Sequence, residues 1–313
     1  MTAGPSVDLT LDAVIVAVTG GEPRVLVVDE EHPPGLPAGP LDAASDKTLD
    51  LAMRRRIREQ TGLEVGYAEQ LYTFGNRDRR RSAGPGRSIS VAYLALVEES
   101  APTPGAKWLG AYDLLPWEDH RAGTPPILTD VLLPALENWA EASPSEDARE
   151  RVEVAFGPLW DGIRVIERYE LLYQAGLVQE RATDDGGDAS GRDLPRTVPL
   201  TPPVAAGEAL RLDHRRIVTV ALSRLRGKLT YRPVVFELLP ERFTLLELQR
   251  TVEALAGVPL HKQNFRRLIE RSGLVEGTGE RTSAGAGRPA ELFRYRPTVI
   301  RERPRPGVGQ PYR

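Results

Sequence analysis

The sequence predicts an α+β protein with two folded domains, a mixed sheet-and-helix domain followed by a smaller helical one. Three observations predict this class. The chain has 313 residues, which exceeds the size at which single hydrophobic cores usually stop growing. Short β-branched runs alternate with helical patterns in the first half, whereas helical patterns dominate the last third. The two parts also carry opposite net charge, −14 over residues 1–210 and +11 over residues 211–313.

This charge asymmetry points to two different kinds of partner. Residues 211–313 hold 21 Lys and Arg against 10 Asp and Glu, and residues 1–210 hold 20 against 34. A basic domain joined to an acidic one indicates that the basic domain binds a polyanion. Uneven solvation of two ordinary domains is the alternative interpretation.

Composition excludes several classes of site. The chain has no cysteine, so disulfides, thiol nucleophiles and thiolate metal sites are absent from it. Its four histidines are scattered and no pair has a metal-ligand spacing. We find no secretion signal and no apolar run of bilayer length, and therefore expect a cytoplasmic protein with no membrane partner.

Residues 1–143 have the pattern of a mixed α/β domain. Two β-branched runs around a Gly-Gly turn predict a hairpin, which a helix, a strand and a second helix follow. Gly62 marks the end of the first helix, and Pro134 lies inside the second. The five elements occupy residues 11–20, 23–30, 47–62, 87–98 and 127–142.

Residues 144–210 form a middle segment. It contains a helix with an apolar stripe over 164–175 and then a stretch dense in Gly, Pro and Asp over 183–207, which is typical of a flexible connector. We therefore place the domain limits at 1–143, 144–210 and 211–313.

Residues 211–313 predict three helices and a hairpin. Asp213 is placed to cap the first helix and Gly227 to end it, whereas Thr244 and Glu247 have the spacing of a capping box for the second. A short turn leads to the third helix, and two strand-like stretches around a Gly- and Arg-rich loop follow. This order is that of a winged helix-turn-helix domain.

The third helix has the residues of a DNA reader. At 100° per residue, Phe265, Leu268, Ile269 and His261 share one face, which we expect to pack inward. The remaining surface holds donors that suit base edges in a major groove, or is simply a solvated face. Its predicted DNA-binding residues are Lys262, Gln263, Asn264, Arg266 and Arg267, with Arg281 and Arg288 of the hairpin loop placed to approach phosphates.

The segment "KTLDLAMRRRIREQTGL" (47–63) resembles the Nudix box, a catalytic helix of the pattern Arg-Glu, aliphatic, any residue, Glu-Glu, any residue, Gly. Arg55, Ile57, Glu59 and Gly62 match this pattern, whereas Arg56 and Gln60 replace two of its acids. The resemblance implies a Nudix-like mixed α/β/α domain, in which those acids would hold divalent cations against a diphosphate.

Loss of two acids changes the expected chemistry. Arg56 is spaced to pair with Glu59, and one carboxylate beside an arginine is a poor cation site. We therefore expect a non-hydrolytic domain with no catalytic residues, no metal site and no required cofactor. An active hydrolase that uses Glu59 with acids from elsewhere is the alternative, and a plain amphipathic helix with a charged face is a third interpretation.

The whole chain resembles the Nudix-related transcriptional regulators of the NrtR family. The resemblance is strongest in "LRGKLTYRPVVFELLPERFTLLELQRTVEALAGVPLHKQNFRRLIERSGLVEGTGE" and "GRPAELFRY", and the middle stretch "RYELLYQAGLV" shares it. It implies a repressor whose Nudix-like domain senses ADP-ribose or a related metabolite of NAD metabolism. It also implies a homodimer that binds double-stranded DNA at a palindromic operator. Self-association then needs an apolar surface, for which we select the stripe 164–175 or the helix 214–226.

The segment after the Nudix-like helix departs from this family. Relatives that bind ADP-ribose carry a stretch similar to "FGxPxRDPRG", whereas this chain has "FGNRDRRRSAGPGR" (74–87), without those prolines. A sugar or sugar phosphate is therefore an alternative ligand, and a solvated loop is an alternative structure. Guanidinium groups suit phosphate oxygens, and the predicted ligand-binding residues are Arg56, Glu59, Arg77, Arg79, Arg81 and Arg87.

Overall fold

A computed structural model describes most of the chain. The described residues are 7–29, 32–75, 87–143, 145, 147–158, 160–183, 206–282, 289–302 and 306–309. Within these ranges, none of the helices has the length and apolar character needed to cross a membrane.

A six-stranded mixed sheet forms the N-terminal half. Its strands are β1 (Val7–Thr19), β2 (Glu22–Val28), β3 (Ala38–Pro40), β4 (Tyr67–Phe74), β5 (Arg87–Leu96) and β6 (Ala106–Gly110). They lie in the order β4-β5-β1-β2-β6, and β3 also pairs with β1. Strands β1 and β5 are parallel, whereas the other pairs are antiparallel. The predicted hairpin is therefore confirmed as β1 and β2.

The sheet is buried on both faces because β1 is apolar at successive positions. Side chains alternate between the faces of a strand: Val14 and Val16 enter one core, whereas Ala13 and Ile15 enter the other. Helix α1 (Leu49–Thr61) covers the second core with Met53 and Ile57.

The ends of α1 follow from local signals. The Thr48 side chain accepts a hydrogen bond from the backbone N–H of Leu51 at the start. At the end, Gly62 adopts the left-handed conformation, φ 71°, as the sequence predicts.

Helices cover the other face of the sheet. They comprise α2 (Ala111–Leu114), a 3-10 turn (Pro116–Glu118), a π turn (Leu128–Leu132) and α3 (Leu133–Ala142), followed by α4 (Ala148–Phe156), α5 (Val165–Gln174) and α6 (Glu180–Thr183). The predicted helix over 127–142 is present. Pro134 lies in the first turn of α3, directly after the π turn Leu128–Leu132.

The C-terminal half has the predicted helix-turn-helix and hairpin. Its elements are α7 (His214–Leu229), a 3-10 turn (Val234–Leu238), α8 (Leu245–Ala256), α9 (Lys262–Ser272), β7 (Val275–Arg281), β8 (Glu291–Tyr295) and α10 (Val299–Glu302). The capping box of Thr244 and Glu247 is present, and Gly257 ends α8 in the left-handed conformation. Strands β7 and β8 pair as an antiparallel hairpin.

One hydrophobic core joins the two halves. Helix α5 packs against α7, and α7 in turn contacts β1 and β4 of the sheet. Tyr169 and Leu172 of the apolar stripe are fully buried in this core. The prediction that the stripe 164–175 or the helix 214–226 forms a dimer surface is therefore wrong, because both pack largely within the same chain. Of the predicted connector 183–207, residues 184–205 lie outside the described residues.

Three local predictions in the C-terminal half are also wrong. Helix α7 continues through Gly227 to Leu229, so this glycine lies inside the helix. Asp213 precedes α7 but forms no side-chain capping bond with it. His261 is the residue before α9 and is exposed, because its backbone is extended rather than helical and turns the ring away from the packed face.

Candidate DNA-reading and ligand-binding sites

Helix α9 exposes one polar face. Phe265 and Ile269, which are 3% and 1% exposed, anchor the helix in the core, and this orientation turns the opposite side toward solvent. Guanidinium and amide groups are the donors that pair with base edges in a DNA major groove. All five polar residues predicted on this helix are exposed, namely Lys262, Gln263, Asn264, Arg266 and Arg267.

The hairpin lies beside α9 in sequence and is fixed to the helical unit. The backbone of Phe293 in β8 exchanges two hydrogen bonds with that of Phe243, just before α8. Arg281 is exposed at the end of β7 and is available to a nearby phosphate. Arg288 lies outside the described residues.

The face of α1 that carries Arg56 and Gln60 in place of acids forms hydrogen bonds with strand β3. The Gln60 side chain donates to the Ala38 carbonyl and accepts from the Ala38 N–H, both at 2.9 Å. Arg56 donates to the Pro40 carbonyl at 3.1 Å. A Cβ on Gly39 would lie 2.5 Å from Nε of Arg56, so a larger residue here would displace the Arg56 side chain. The two residues that replace acids are therefore used structurally.

Glu59 is paired with two arginines. Arg56 lies 3.5 Å from its carboxylate, as the spacing predicts, and Arg55 donates to it at 3.1 Å. Arg55 also forms a hydrogen-bonded ion pair with Asp46, which lowers the pKa of that carboxyl. Among the described residues, no three His, Asp or Glu side chains are grouped so that they could hold a metal ion.

The predicted arginine cluster after β4 is described only at its end. Arg77, Arg79 and Arg81 lie outside the described residues. The Arg87 guanidinium donates to the Gly75 carbonyl at 2.6 Å, which closes the two ends of the segment. Arg56 and Glu59 belong to α1, which covers one face of the sheet.

A contact that the sequence did not indicate joins the N-terminal domain to the helix before the reader. The Tyr112 hydroxyl donates to the Ala254 carbonyl at 2.6 Å, and the backbone N–H of His120 donates to the Gly257 carbonyl at 2.7 Å. Burial raises the pKa of Tyr112 to about 12, so its hydroxyl keeps the proton that it donates. These bonds satisfy carbonyls at the C-terminus of α8, immediately before the turn into α9.

A buried ion triad lies beside this contact. Glu118 forms ion pairs with Arg168 of α5 at 2.6 Å and with Arg226 of α7 at 2.5 Å, and all three side chains are 0% exposed. Arg226 also donates to the Leu255 carbonyl of α8. Burial opposes ionisation of Glu118, but the two guanidinium groups outweigh it and hold the pKa of this carboxyl below its ordinary value. We call the contacts of Tyr112, Glu118 and His120 with α7 and α8 the joint.

Sequence analysis missed the joint because its partners are far apart along the chain. Glu118 and Arg226 are 108 residues apart, and no local pattern reports such a pair. One signal was present: Arg168 lies four residues before Leu172 and Arg226 four residues after Leu222, so each arginine interrupts an apolar helix face. A charge at such a position indicates a buried partner.

Two family matches cover both halves. Residues 9–129 match the NUDIX domain family, and residues 235–295 match the family described as the NrtR DNA-binding winged helix domain. Over 298 residues, which are 93% of this chain and 83% of the relative, the chain is 25% identical to the ADPR responsive transcriptional repressor NtrR of Acinetobacter baylyi.

Solved structures have a similar fold. The crystal structure of Shewanella oneidensis NrtR complexed with a 27mer DNA is 24% identical, with a TM-score of 0.56 over 94% of this chain and 95% of that one. The structure of the same protein without DNA is 25% identical, with a TM-score of 0.54 over 93% and 95%. The chain is therefore similar to the NrtR regulators, and its NUDIX domain match precedes its match to the NrtR DNA-binding winged helix domain.

Proposed function

We propose that this protein is a transcriptional repressor that binds double-stranded DNA through α9 and releases or retains it in response to ADP-ribose or a related nucleotide. The observation that carries the proposal is the exposed, donor-rich face of α9 on a helix-turn-helix unit whose preceding helix is held by the NUDIX domain. The relatives named above support it, since one is described as an ADPR responsive repressor and another was crystallised with DNA.

The NUDIX domain acts as a sensor in this proposal. Its box positions Arg56 and Gln60 are engaged with β3, and Glu59 is paired with arginines. Cation-assisted hydrolysis needs free carboxylates on this face. Because these are missing, the domain binds its ligand without hydrolysing it. The effector is therefore a ligand, and no resident cofactor is required. The regulated genes belong to NAD metabolism, and the protein acts in the cytoplasm.

The protein binds its operator as a homodimer. One reader helix contacts few base pairs, so tight binding at physiological salt generally needs two copies on a two-fold site. The dimer surface lies outside the interface of α5 and α7, which is internal to one chain. The recognised DNA is a palindrome with half-sites about one helical turn, or a multiple of it, apart.

A selection experiment with the full chain tests this function. Duplexes are enriched from a randomised pool, and their affinity is then measured with and without ADP-ribose at fixed salt. We expect a two-fold symmetric site and a change in affinity of about 5- to 150-fold on adding ADP-ribose. Equal binding to selected and random duplexes would contradict specific recognition, and a half-site footprint from a monomer would contradict the dimer.

The second function to be tested is hydrolysis, because Glu59 of the box is retained. The assay follows cleavage of ADP-ribose by the full chain with magnesium or manganese. We expect no turnover above the background rate. Turnover on the order of 1 per second or more would identify an active hydrolase and overturn the sensor role.

A further inference from the structure

Residues 306–309, which we call the strap, pack against the C-terminal end of α7. Val308 is 0% exposed and belongs to the core that joins the two halves, and Pro306 is also buried. The backbone N–H of Val308 donates to the Leu229 carbonyl at 2.7 Å. Leu229 is the last residue of α7, and the last carbonyls of a helix have no partner within it. The strap therefore supplies both an apolar side chain and a hydrogen bond at this helix end.

The two glycines of the strap indicate that its fit is specific. A Cβ on Gly307 would overlap backbone atoms of Thr230 and Tyr231, which cannot move aside as the end of a flexible side chain can. Gly309 has a φ of 78°, in the left-handed region that favours glycine. A Cβ on Gly309 would lie 3.3 Å from Cδ1 of Leu268 in α9. The strap therefore contacts the reader helix at Gly309 and the end of α7 one residue earlier.

The same end of α7 is held by the NUDIX domain. Lys228 forms an ion pair with Glu69 of β4 and donates to the Tyr67 hydroxyl at 2.9 Å. The NUDIX contact and the strap contact fall on consecutive residues, because Leu229 follows Lys228. Helix α9 itself packs against α8 and β7. The strap thus adds a connection from the reader helix to a helix end that the NUDIX sheet holds in place.

The strap reaches α9 behind its reading face. Leu268 is half-buried and packs against the core, as Phe265 and Ile269 do, whereas the predicted reading residues face solvent. A contact on the packed side sets the orientation of a helix without touching DNA. Orientation matters for specificity, because side-chain donors must align with base edges, whereas binding to random DNA is electrostatic and tolerates small displacements.

We propose that the strap is a positioning element for sequence reading, in which Val308 and the two glycines set the orientation of α9. The strap thereby controls the preference of the protein for its operator over random DNA. This proposal rests on the DNA-binding function proposed above and assigns a role to residues beyond the winged hairpin.

The test measures the affinity of full-chain variants for the selected duplex and for random duplexes at one salt concentration. Val308→Ala removes two buried methyl carbons and should lower the preference for the selected duplex about 3- to 10-fold. Gly307→Ala keeps the valine, but its Cβ prevents docking, so the preference should fall by at least as much. Affinity for random DNA should change by no more than about twofold in both variants, since the charges are unaltered.

Matched controls make the same substitutions away from the strap. Val154→Ala alters a valine of α4 that is 47% exposed, and Gly66→Ala adds a Cβ that has no atom within 4 Å. Both should keep the wild-type preference within about twofold. A wild-type preference in Val308→Ala and Gly307→Ala would overturn the proposal. So would an equal loss on both kinds of DNA, because the strap would then stabilise the fold without orienting α9.

Truncation separates docking from charge. A chain that ends at Glu302 lacks the strap together with the three arginines of residues 303–313. We expect a reduced preference for the selected duplex and, from the lost charge, weaker binding to all DNA. If the truncated chain instead loses affinity equally for both kinds of duplex and Gly307→Ala keeps the wild-type preference, these residues contribute charge alone and the proposal is wrong.

Hydrogen exchange tests the strap without DNA. The backbone amides of α9 should exchange about 10-fold faster in Val308→Ala than in the wild type, while those of α1 keep their rates. Unchanged exchange in α9 would overturn the proposal even if the wild type selects a symmetric site. Faster exchange in a chain that selects no site would instead support the docking of the strap and contradict the proposed DNA recognition, so the two failures are distinguishable.

Discussion

At the scale of single residues, Glu118 forms ion pairs with the two buried arginines of the joint. It is a carboxylate between two guanidinium groups, and no part of the three side chains reaches solvent. Removal of the charge from such a group leaves two buried cations with only neutral acceptors. Glu69 is a useful comparison, because it pairs with Lys228 where both side chains are partly exposed.

We predict that Glu118→Gln lowers the free energy of unfolding by about 3 to 5 kcal/mol, because one partner of a buried ion pair is lost. Glu69→Gln, which makes the same chemical change at the more exposed pair, should cost about 1 kcal/mol or less. Urea denaturation of both variants measures the difference. Equal losses would show that burial does not decide the strength of these pairs.

The pH dependence of stability gives a second expectation for Glu118. Folding lowers its pKa, so the unfolded state binds its proton more tightly. The resulting stabilisation is present above the ordinary pKa of 4.5 and is lost as the pH falls through the lowered value. The stability of Glu118→Gln should therefore fall less steeply below pH 4.5 than that of the wild type, which a urea series at several pH values would measure.

The reader arginines define a prediction about specificity. If Arg266 pairs with a guanine, Arg266→Ala should cost about 1 to 3 kcal/mol on the selected site and relax the preference at one base pair. Arg271→Ala, on the same helix but outside the predicted reading set, serves as the control. A loss of equal size on random DNA would mean that Arg266 contacts phosphate only.

At the scale of elements, α1 has the place of the Nudix helix in the sheet domain, but Arg56 and Gln60 replace two of its acids and bind strand β3. A glutamate at position 60 would still accept from the Ala38 N–H but would face the Ala38 carbonyl without a donor. Gln60→Glu should therefore destabilise the fold by about 1 to 3 kcal/mol. Gln70→Glu, on an exposed position of β4, should stay within about 0.5 kcal/mol. Thermal unfolding distinguishes the two, and a neutral Gln60→Glu would show that this contact is dispensable.

The elements also show what the sequence could predict. Two signals that act within one turn were read correctly, namely Gly62 and the capping box of Thr244 and Glu247. Gly227 was misread as a helix end because a glycine inside a helix has the same letter as one that ends a helix. The partners of Glu118 could not be predicted, since Arg168 and Arg226 are brought to it from distant parts of the chain.

At the scale of the whole molecule, the joint connects the NUDIX domain to the helix that precedes α9. Tyr112 and His120 hold the C-terminal carbonyls of α8, and Arg226 connects the same helix end to Glu118. The NUDIX domain therefore positions the helix that leads into α9. A ligand changes DNA affinity only if it favours one arrangement of this joint over another, because equal affinity for both shifts no population.

Tyr112→Phe tests this coupling with little change in packing. The ring stays, but the hydrogen bond to the Ala254 carbonyl is lost, at a cost of about 0.5 to 1.5 kcal/mol. We expect the ratio of DNA affinities with and without ADP-ribose to move toward 1, while ADP-ribose affinity measured without DNA changes by no more than about threefold. Tyr295→Phe in β8 is the control, since it removes a tyrosine hydroxyl from the C-terminal half without touching the joint. An unchanged affinity ratio in Tyr112→Phe would mean that the signal passes from the NUDIX domain to α9 by a route other than this bond.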